Sequence, residues 1–419
     1  MSASKIQGMF RALRHRNFRL FLTGQLISLV GKWMQRVAMN WLIYRLTGSL
    51  LLLGAVDFLI LLPTLLLGLF TGVLMEGKDL RKVLVVCQTV SMLHAMILAV
   101  LTLTGLINQW HILVLAAIIG ISDAFEFPAR QSFTVKLVDD NRDIGNAIGL
   151  SSMVINITRL IGPSVAGFII AIFGEGICFL FNGVGHCATI IALLLMRFAQ
   201  PLASQGSRKK VLEGLSEGIV YAMSFGPLKR YLIIMSIVSF FALPYLVLLP
   251  VFASDILQGG PQALGFLMGA SGLGALLASI HLTLRQSPFG LGGVLARSCI
   301  FFGVSISAFA LSRSFPLSLV LIAMLGFFMI STLISCNTLV QTLVDDDMRN
   351  RVMSLYTVAA GGFTPLGSLC AGWLASRIGA PKTLFIGGFV TLLAGLYLWR
   401  IWVSLCNISK EVFQRKGVL

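Results

Sequence analysis

The chain has 419 residues and an excess of basic side chains, which gives it a formal net charge of +16. Only 11% of its residues are charged and 57% are hydrophobic, whereas about a quarter of the residues in a soluble globular protein are charged. This composition excludes an ordinary soluble protein and indicates an all-α integral membrane protein. A β-barrel is also excluded, because barrel strands alternate apolar and polar side chains and these segments do not.

Twelve apolar segments follow one another along the chain, each long enough to cross a bilayer as a helix of roughly 20 residues. A long polar stretch, 199–230, divides them into two sets of six. We therefore predict an N-terminal six-helix bundle over 1–198, a cytoplasmic linker over 199–230, and a C-terminal six-helix bundle with a cytoplasmic tail over 231–419. The predicted spans are 18–44, 50–74, 83–105, 111–133, 146–171, 176–198, 231–253, 262–284, 293–311, 316–341, 352–376 and 382–404.

The distribution of Lys and Arg predicts the orientation, because cytoplasmic loops of membrane proteins carry the excess of these residues. If both termini are cytoplasmic, 25 of the 32 Lys and Arg lie on the cytoplasmic side and only four lie on the opposite side. The basic N-terminal segment lacks the cleavage pattern of a signal peptide. We expect a multi-pass protein of the inner (cytoplasmic) membrane, whose positive charge contacts anionic lipid rather than nucleic acid.

Motifs of catalysis and of cofactor binding are missing from the sequence. It contains no P-loop and no HExxH, so we do not expect an enzyme. The seven cysteines fall within or at the edge of apolar segments without CxxC spacing, and they predict neither disulfides nor a metal site. We expect no cofactor.

The polar linker contains apolar residues at helical spacing. This pattern predicts an amphipathic helix lying on the cytoplasmic membrane surface, with a flexible tether as the alternative. The apolar residues are Val211, Leu212, Leu215, Ile219, Val220 and Met223.

A short acidic motif and a glycine pattern occur twice. LVDD at 137–140 recurs at 343–346, and the span that follows carries the same glycine spacing in both places. Two six-helix halves related as parallel repeats are one of the arrangements from which secondary transporters are built, with the substrate site at their interface. The matching glycines are Gly162, Gly167 and Gly174 in the first copy, and Gly367, Gly372 and Gly379 in the second.

Five segments together resemble a known family. They are RHRNFRLFLTGQLISLVGKWMQRVAMNWLIYRLTGS (14–49), FPARQSF (127–133), NAIGLSSMVINITRLIGP (146–163), LSEGIVY (215–221) and RNRVMSLYTVAAGGFTPLGSLCAG (349–372). The chain resembles the major facilitator superfamily, and more narrowly its branch of enterobactin exporters and macrolide efflux pumps. The resemblance implies twelve transmembrane helices in two pseudo-repeat halves, which rock to expose a central site to each side of the membrane in turn.

The loop after the second span departs from the pattern of that family. In the family this loop carries Gly and an Asp-Arg pair followed by basic residues, and it latches the cytoplasmic side of the outward-facing state. Here Glu76 takes the Asp position and Gly77 replaces the Arg. Arg130, near the cytoplasmic end of the fourth span, is predicted to contact Glu76 or Asp79 as part of this gate. The latch residues that the resemblance assigns are Gly72, Glu76, Asp79 and Arg81.

Two cations lie inside the first span, where a charged side chain costs roughly 2.5–3.5 kcal/mol without a partner or an aqueous cavity. Lys32 and Arg36 are four residues apart and share a helix face with Gln35 beside them. They form either a cationic site for the substrate or a pair neutralised by Asp57 or by the fourth span. For Asp57, about 9 Å deep at the helical rise, we favour the role of counter-ion to Arg36 over that of a proton carrier.

Charged residues also follow one face of the fourth span. Asp123, Glu126 and Arg130 stand at positions i, i+3 and i+7. Arg159 enters the fifth span at a depth similar to that of Asp123, and we predict an ion pair between Arg159 and Asp123 or Glu126. Together with Asn156, Arg159 is expected to line the substrate cavity.

Titratable groups inside the spans are candidates for proton coupling, since burial raises the pKa of a carboxyl group. The carboxyl candidates are Asp57, Asp123 and Glu126. His94 and His186, in the third and sixth spans, are interpreted as hydrogen-bonded core residues, with a proton relay as the alternative.

The two predicted halves differ in polarity. No acidic or basic residue lies at mid-span depth in the second half, where polar Asn337 stands among many aromatic and methionine side chains. A charged wall that faces an apolar, aromatic wall suits an amphiphilic substrate. The candidate cavity residues are Lys32, Gln35, Arg36, Asn156, Arg159 and Asn337.

These observations predict a secondary active transporter that exports an amphiphilic, anionic small molecule such as a siderophore in exchange for protons. The expected partners are the small-molecule substrate, protons and membrane lipids, and we expect a monomer. A multidrug or macrolide efflux pump is one alternative, and a lipid or lysolipid transporter with a lateral opening between helices is another. A receptor or non-transporting scaffold is the alternative from a different class.

Overall fold

The computed structural model describes residues 11–75, 77–138, 140–198, 211–285 and 290–415. The described chain is almost entirely helical. Its α-helices are α1 (Arg16–Thr47), α2 (Leu50–Leu74), α3 (Leu80–Leu103), α4 (Gln109–Val135), α5 (Ile144–Phe173), α6 (Glu175–Leu195), α7 (Val211–Ser224), α8 (Gly226–Phe241), α9 (Tyr245–Val251), α10 (Gly260–Thr283), α11 (Leu291–Leu311), α12 (Phe315–Leu343), α13 (Arg349–Thr357), α14 (Thr364–Ile378) and α15 (Ala380–Arg415).

The helices confirm the twelve predicted spans. Among the described residues, eleven helical segments are long and apolar enough to cross a membrane. In two of these segments a pair of helices forms one span, α8 with α9 and α13 with α14. The twelfth span is α1, which is 32 residues long and less apolar because polar residues such as Gln25, Lys32 and Arg36 interrupt it.

The two composite spans break where the sequence disfavours a continuous helix. Pro244 precedes α9, and Pro365 occupies the first turn of α14. Proline lacks an N–H donor and clashes with the preceding turn, so a helix tends to end before it. A π-helical turn over Val358–Gly362 lies before α14, a geometry that often marks functional sites in α-helices.

The helices pack as two bundles. In the first bundle α1 packs on α5 and α6, α3 on α4 and α6, and α2 on α4; in the second, α11 packs on α12 and α15 and α10 packs on α12. The bundles meet mainly where α2 contacts α14 and α5 contacts α10. Because α2 and α5 make these contacts, the face of the first bundle between them, formed by α1 and α4, is turned toward the second bundle.

The repeated glycines occupy corresponding places in the two bundles. A Cβ atom on Gly167 would lie 3.0 Å from Cα of Gly265, and one on Gly372 would lie 3.0 Å from Cα of Gly54. Both contacts join the bundles, one between α5 and α10 and the other between α14 and α2. The repeat detected in the sequence therefore encodes close helix packing, for which small residues are required in membranes.

One end of the bundle, which we name the linker side, carries the N-terminal segment, defined as residues 11–15, together with α7 and the loops after α4 and α12. Asp143 in the loop after α4 contacts Nη2 of Arg11 at 2.8 Å and Nε2 of His15 at 3.1 Å. The hydrogen bond from His15 and the charge of Arg11 lower the pKa of the Asp143 carboxyl group. These contacts fasten the N-terminal segment to the first bundle.

The predicted linker helix is present as α7, although residues 199–210 lie outside the described part of the chain. The hydroxyl of Tyr221 donates to Oδ2 of Asp345 at 2.8 Å, and Arg351 pairs with Glu217. Burial, together with the hydrogen bond to Asp345, raises the pKa of Tyr221. Helix α7 thus docks on the loop between α12 and α13 of the second bundle. The domain boundaries at 198 and 230 stay predictions.

Candidate functional site

A cluster of four charges occupies the face of α1 and α4 that is turned toward the second bundle. Nζ of Lys32 lies 2.6 Å from Oδ1 of Asp123 and 3.1 Å from Oε2 of Glu126. Arg130 adds a longer contact, with its Nη1 3.9 Å from Oε1 of Glu126. Asp123 and Glu126 are one helical turn apart on a single face of α4, and a single ammonium group from α1 therefore contacts both. The two cations and two carboxylates balance in charge.

The two carboxylates of this cluster have different surroundings. The side chain of Glu126 is only 5% exposed, and its Oε1 accepts a hydrogen bond from Nε2 of Gln88 at 3.3 Å. Gln88 in turn accepts from Nδ1 of His186 at 2.5 Å, which orients its amide group toward Glu126. Asp123 is 23% exposed, and within the described chain its carboxylate contacts only Lys32. Glu126 is therefore held by the protein interior, whereas Asp123 also borders the space between the bundles.

His94 and His186 lie in the core of the first bundle, as interpreted from the sequence. Both are 2% exposed. Asn182 donates to Oε1 of Gln35 at 2.9 Å, and Nε2 of Gln35 lies 3.4 Å from Nδ1 of His94. The same contacts hold Gln35, at 5% exposure, among α1, α3 and α6.

Arg36 and Asp57 form the ion pair favoured from the sequence. Nη2 of Arg36 lies 2.6 Å from Oδ1 of Asp57, and the other carboxylate oxygen accepts a hydrogen bond from Ser368 at 2.6 Å. Because Ser368 lies in α14, Asp57 joins the two bundles. Tyr44 and Asp255 form a second bond between the bundles near the same end. The end of the molecule opposite the linker side is therefore closed.

Arg159 does not pair with a carboxylate of α4, and that prediction is wrong. Depth along a helix placed Arg159 level with Asp123, but Lys32 contacts both α4 carboxylates. The guanidinium of Arg159 lies 5.7 Å from the centre of the Trp33 ring and 3.9 Å from Sδ of Met329. In the described part of the chain no carboxylate forms an ion pair with it. Arg159 is a half-buried cation at a junction of α1, α5 and α12.

The two predicted amides bond within their own helices. Asn156 donates to the carbonyl oxygen of Ser152 at 3.0 Å. Asn337 accepts from Nε2 of Gln341 at 2.6 Å. Both are partly exposed, and their role in the cavity stays a prediction.

Two adjoining cavities lie beside the charge cluster. The inner one, about 170 Å³, is lined by Lys32, Asp123 and Glu126. The outer one, about 330 Å³, is lined by linker-side residues of α1, α4 and α5. Phe127 and Arg130 line both cavities and separate them.

The structure describes three of the four predicted latch residues and Arg130. Glu76 lies outside the described residues, and Gly72 lies in the last turns of α2. Asp79 caps α3 by accepting from the backbone N–H of Arg81, whose guanidinium donates to the carbonyl oxygen of Leu194 at 2.9 Å. Arg130 contacts Glu126 and Gln25 and not Asp79 among the described residues; because Glu76 lies outside them, the predicted contact with Glu76 or Asp79 stays a prediction. Arg130 lies one turn from Glu126 on the same helix face, which explains the contact between them.

The structure adds residues that the sequence analysis did not single out. Gln88 orients Glu126, Ser368 joins the bundles at Asp57, and Gln25 accepts from Arg130 at 3.4 Å. A signal for Gln25 was present, because polar residues recur along α1 at helical spacing. That polar stripe comprises Gln25, Ser28, Lys32, Gln35 and Arg36.

Comparison of the sequence with protein families finds one that spans nearly the whole chain. The family described as transmembrane secretion effector matches residues 7–414. The chain is 25% identical to the staphyloferrin A transporter of Staphylococcus aureus, covering 89% of this chain and 93% of that protein. It is 26% identical to the multidrug efflux pump Tap of Mycolicibacterium fortuitum, covering 90% and 93%. It is also 21% identical to macrolide efflux protein A of Streptococcus pyogenes, covering 88% and 92%.

Solved structures of transporters share the fold at low sequence identity. A POT family transporter in complex with 5-aminolevulinic acid superposes with a TM-score of 0.73 at 12% identity, covering 93% of this chain and 96% of that one. A bacterial homologue of the iron transporter ferroportin in an inward-facing state gives 0.68 at 17% identity, covering 93% and 98%. These matches confirm the predicted fold of twelve helices in two six-helix halves.

Proposed function

Because this chain belongs to the transmembrane secretion effector family of the major facilitator superfamily, we propose that it exports an amphiphilic, anionic small molecule in exchange for protons. The chain is a multi-pass membrane transporter of a small molecule and not an enzyme, as the sequence predicted, and its relatives include siderophore, multidrug and macrolide transporters. The substrate class, the direction and the coupling ion are the proposed part.

The anionic character of the substrate rests on Arg159. The other cations of the central region have carboxylate partners, namely Lys32 with Asp123 and Glu126, Arg130 with Glu126, and Arg36 with Asp57. Arg159 is the cation there that no described carboxylate neutralises, and it stands between Trp33 of the first half and Met329 of the second. A substrate with carboxylate, catecholate or phosphate groups, such as a siderophore, would supply the missing negative charge, and its apolar part would contact the aromatic second half.

The arrangement of the halves supports alternating access. On the side opposite the linker, the bonds of Asp57 with Ser368 and of Tyr44 with Asp255 join the halves. On the linker side, the corresponding ends of α5 and α10 are exposed, with Ile148 47% and Ile280 50% exposed. Rocking of the halves about the glycine contacts would open one side as it closes the other.

Proton coupling is assigned to Asp123. Its carboxylate has one described partner and borders the inner cavity, so protonation there would remove one of the two carboxylate contacts of Lys32 while the more deeply buried Glu126 keeps its pairing with Lys32. We further propose a location in the inner (cytoplasmic) membrane, with the linker side and both termini in the cytoplasm. The positive charge of that side would contact anionic lipid, and the protein would act as a monomer.

The proposal is tested with purified protein in liposomes that contain a pH-sensitive dye and an acidic lumen. A catecholate siderophore, a macrolide and the cationic dye ethidium are added separately, and the lumenal pH is recorded. The siderophore should raise the lumenal pH as protons leave in exchange for it. Arg159→Gln should abolish this response, and Arg313→Gln is the control, because the hydrogen-bond partners of Arg313 among the described residues are backbone carbonyl groups.

Two results would overturn the proposal. Unchanged siderophore exchange by Arg159→Gln would remove the anionic site. A response to ethidium or the macrolide, with none to the siderophore, would favour the multidrug function that the relationship to Tap suggests.

A further inference from the structure

The outer cavity is a cleft in the first half. Among the site residues predicted from the sequence, only Arg130 lines it. Its walls come from the linker-side part of α1, the last turns of α4 and the first turns of α5. Apolar side chains such as Phe21 and Phe127 alternate there with polar ones such as Gln25 and Ser152. At about 330 Å³, the cleft lies at the lower end of the size range of small-molecule sites.

Two polar groups of the cleft have unused hydrogen-bonding capacity. Oγ of Ser151 is buried and has no hydrogen-bond partner among the described residues. The guanidinium of Arg130 has five N–H donors, yet its contacts with polar side chains are long. Its Nη1 lies 3.4 Å from Oε1 of Gln25 and 3.9 Å from Oε1 of Glu126. A buried polar group without a partner costs free energy, so a ligand that supplies an acceptor to both groups would be stabilised.

The cleft faces the space between the halves. The first half contacts the second through α2 and α5, and α1 and α4 lie between these two helices. A cleft bounded by α1, α4 and α5 on that face is reached from the linker side, where only residues of the first half line it. This position fits a molecule arriving from the linker side better than a lipid chain entering from the bilayer.

We propose that this cleft is a binding site for the apolar, aromatic part of an anionic amphiphile, whose negative group contacts Arg130. The proposal rests on the proposed function, because the occupant is taken to be the exported molecule before it reaches the inner cavity. Phe127, 50% exposed and with its ring 5.7 Å from Cζ of Arg130, would stack against the bound aromatic group. An anion at Arg130 would compete with Glu126 for the guanidinium and loosen the boundary between the two cavities.

The test measures binding of radiolabelled 2-naphthoate to the protein in lipid nanodiscs by equilibrium dialysis, with empty nanodiscs subtracted. 2-Naphthylmethylammonium has the same ring system with the opposite charge, and acetate has the charge without the rings. Ser152→Trp fills the cleft, and Met153→Trp is its control, because Met153 is the next residue of α5, is 45% exposed and does not line the cleft.

We expect 2-naphthoate to bind more tightly than either comparison compound. Ser152→Trp should weaken its binding by about tenfold or more, while Met153→Trp leaves it unchanged. Arg130→Gln should remove the preference for the carboxylate over the ammonium compound, and Arg130→Lys should restore part of it. Equal binding by both tryptophan variants, or an unchanged preference in Arg130→Gln, would overturn the proposed site.

The liposome assay separates failure of this site from failure of the proposed function. If siderophore exchange depends on Arg159 but is insensitive to Ser152→Trp, the cleft proposal fails and the function stands. If naphthoate binds as expected but no solute moves protons, the function fails and the cleft remains a ligand site.

Discussion

Replacing Lys32 by methionine would remove the ammonium group that contacts two carboxylates. Asp123 and Glu126 would then share only the more distant Arg130, which leaves one negative charge uncompensated. Breaking a buried ion pair costs about 3–5 kcal/mol, and an exposed pair contributes about 0–1 kcal/mol. Glu126 is 5% exposed and Lys32 is 32% exposed, so the pair lies between these limits. We expect Lys32→Met to lower the free energy of unfolding by about 2 kcal/mol.

A double-mutant cycle tests whether charge balance is the cause. Lys32→Met combined with Asp123→Asn leaves Glu126 and Arg130, one negative and one positive group. The double variant should therefore be more stable than the sum of the single effects predicts, by about 1–2 kcal/mol. The measurement is reversible unfolding in mixed micelles, monitored by circular dichroism, with the exposed Lys382→Met as control. Additive effects within error would refute the assignment of Lys32 as the shared counter-ion.

Three further predictions concern the interface, the gate and the N-terminal segment. Gly372→Ala should reduce transport and lower the free energy of unfolding by about 1–3 kcal/mol, because the added Cβ would overpack the contact with α2. Gly149→Ala is the control and should be neutral, because no neighbouring element lies within 4 Å of its added Cβ. Equal transport activity of the two variants would contradict this prediction. Asp57→Ala should widen the side opposite the linker, measured as longer distances between spin labels there, and an unchanged distance distribution would argue against a gate. Because the folded-state pKa of Asp143 is lowered, its contacts with His15 and Arg11 should stabilise the protein fully above the ordinary Asp pKa of about 3.9. This stabilisation should be lost as the pH falls through the lowered pKa. At pH 8, trypsin should cleave the N-terminal segment slowly in the unaltered protein and fast in Asp143→Asn, and equal cleavage rates would contradict the contact.

Hydropathy and helical rise were sufficient to predict the spans and one ion pair. Long apolar runs identify helices, because a bilayer requires the backbone to satisfy its own hydrogen bonds. Arg36 and Asp57 lie at similar depth on consecutive helices joined by a short connection, Gly48 and Ser49, so the chain itself brings them together. The repeated glycines were likewise visible, since close packing leaves the same spacing in both halves.

Neutralisation of Lys32 by the fourth span was one of the alternatives left open by the sequence, but the carboxylates of that span were also expected to pair with Arg159. This ambiguity has a physical reason. Helical rise gives the depth of a side chain in the membrane, but it does not give the rotation of the helix or its lateral neighbours. Asp123 and Arg159 share a depth, yet the carboxylate faces Lys32 of α1 while the guanidinium faces Trp33 and Met329. Those orientations depend on how six helices pack together, and the spacing of residues within one helix does not determine that packing.

The contacts also distinguish the three carboxylates that the sequence treated alike as proton-coupling candidates. Asp57 accepts from Arg36 of the first half and Ser368 of the second, so protonating it would weaken a contact between the halves. Glu126 is held by Lys32 and Gln88 within one half, and those contacts need not change when the halves move. Asp123 alone among them combines a single described partner with exposure to the cavity. A proton on Asp123 would therefore remove one of the two carboxylate contacts of Lys32, which stays paired with Glu126; in the proposed mechanism, this change inside the cavity alters how a charged substrate is held before the halves rock.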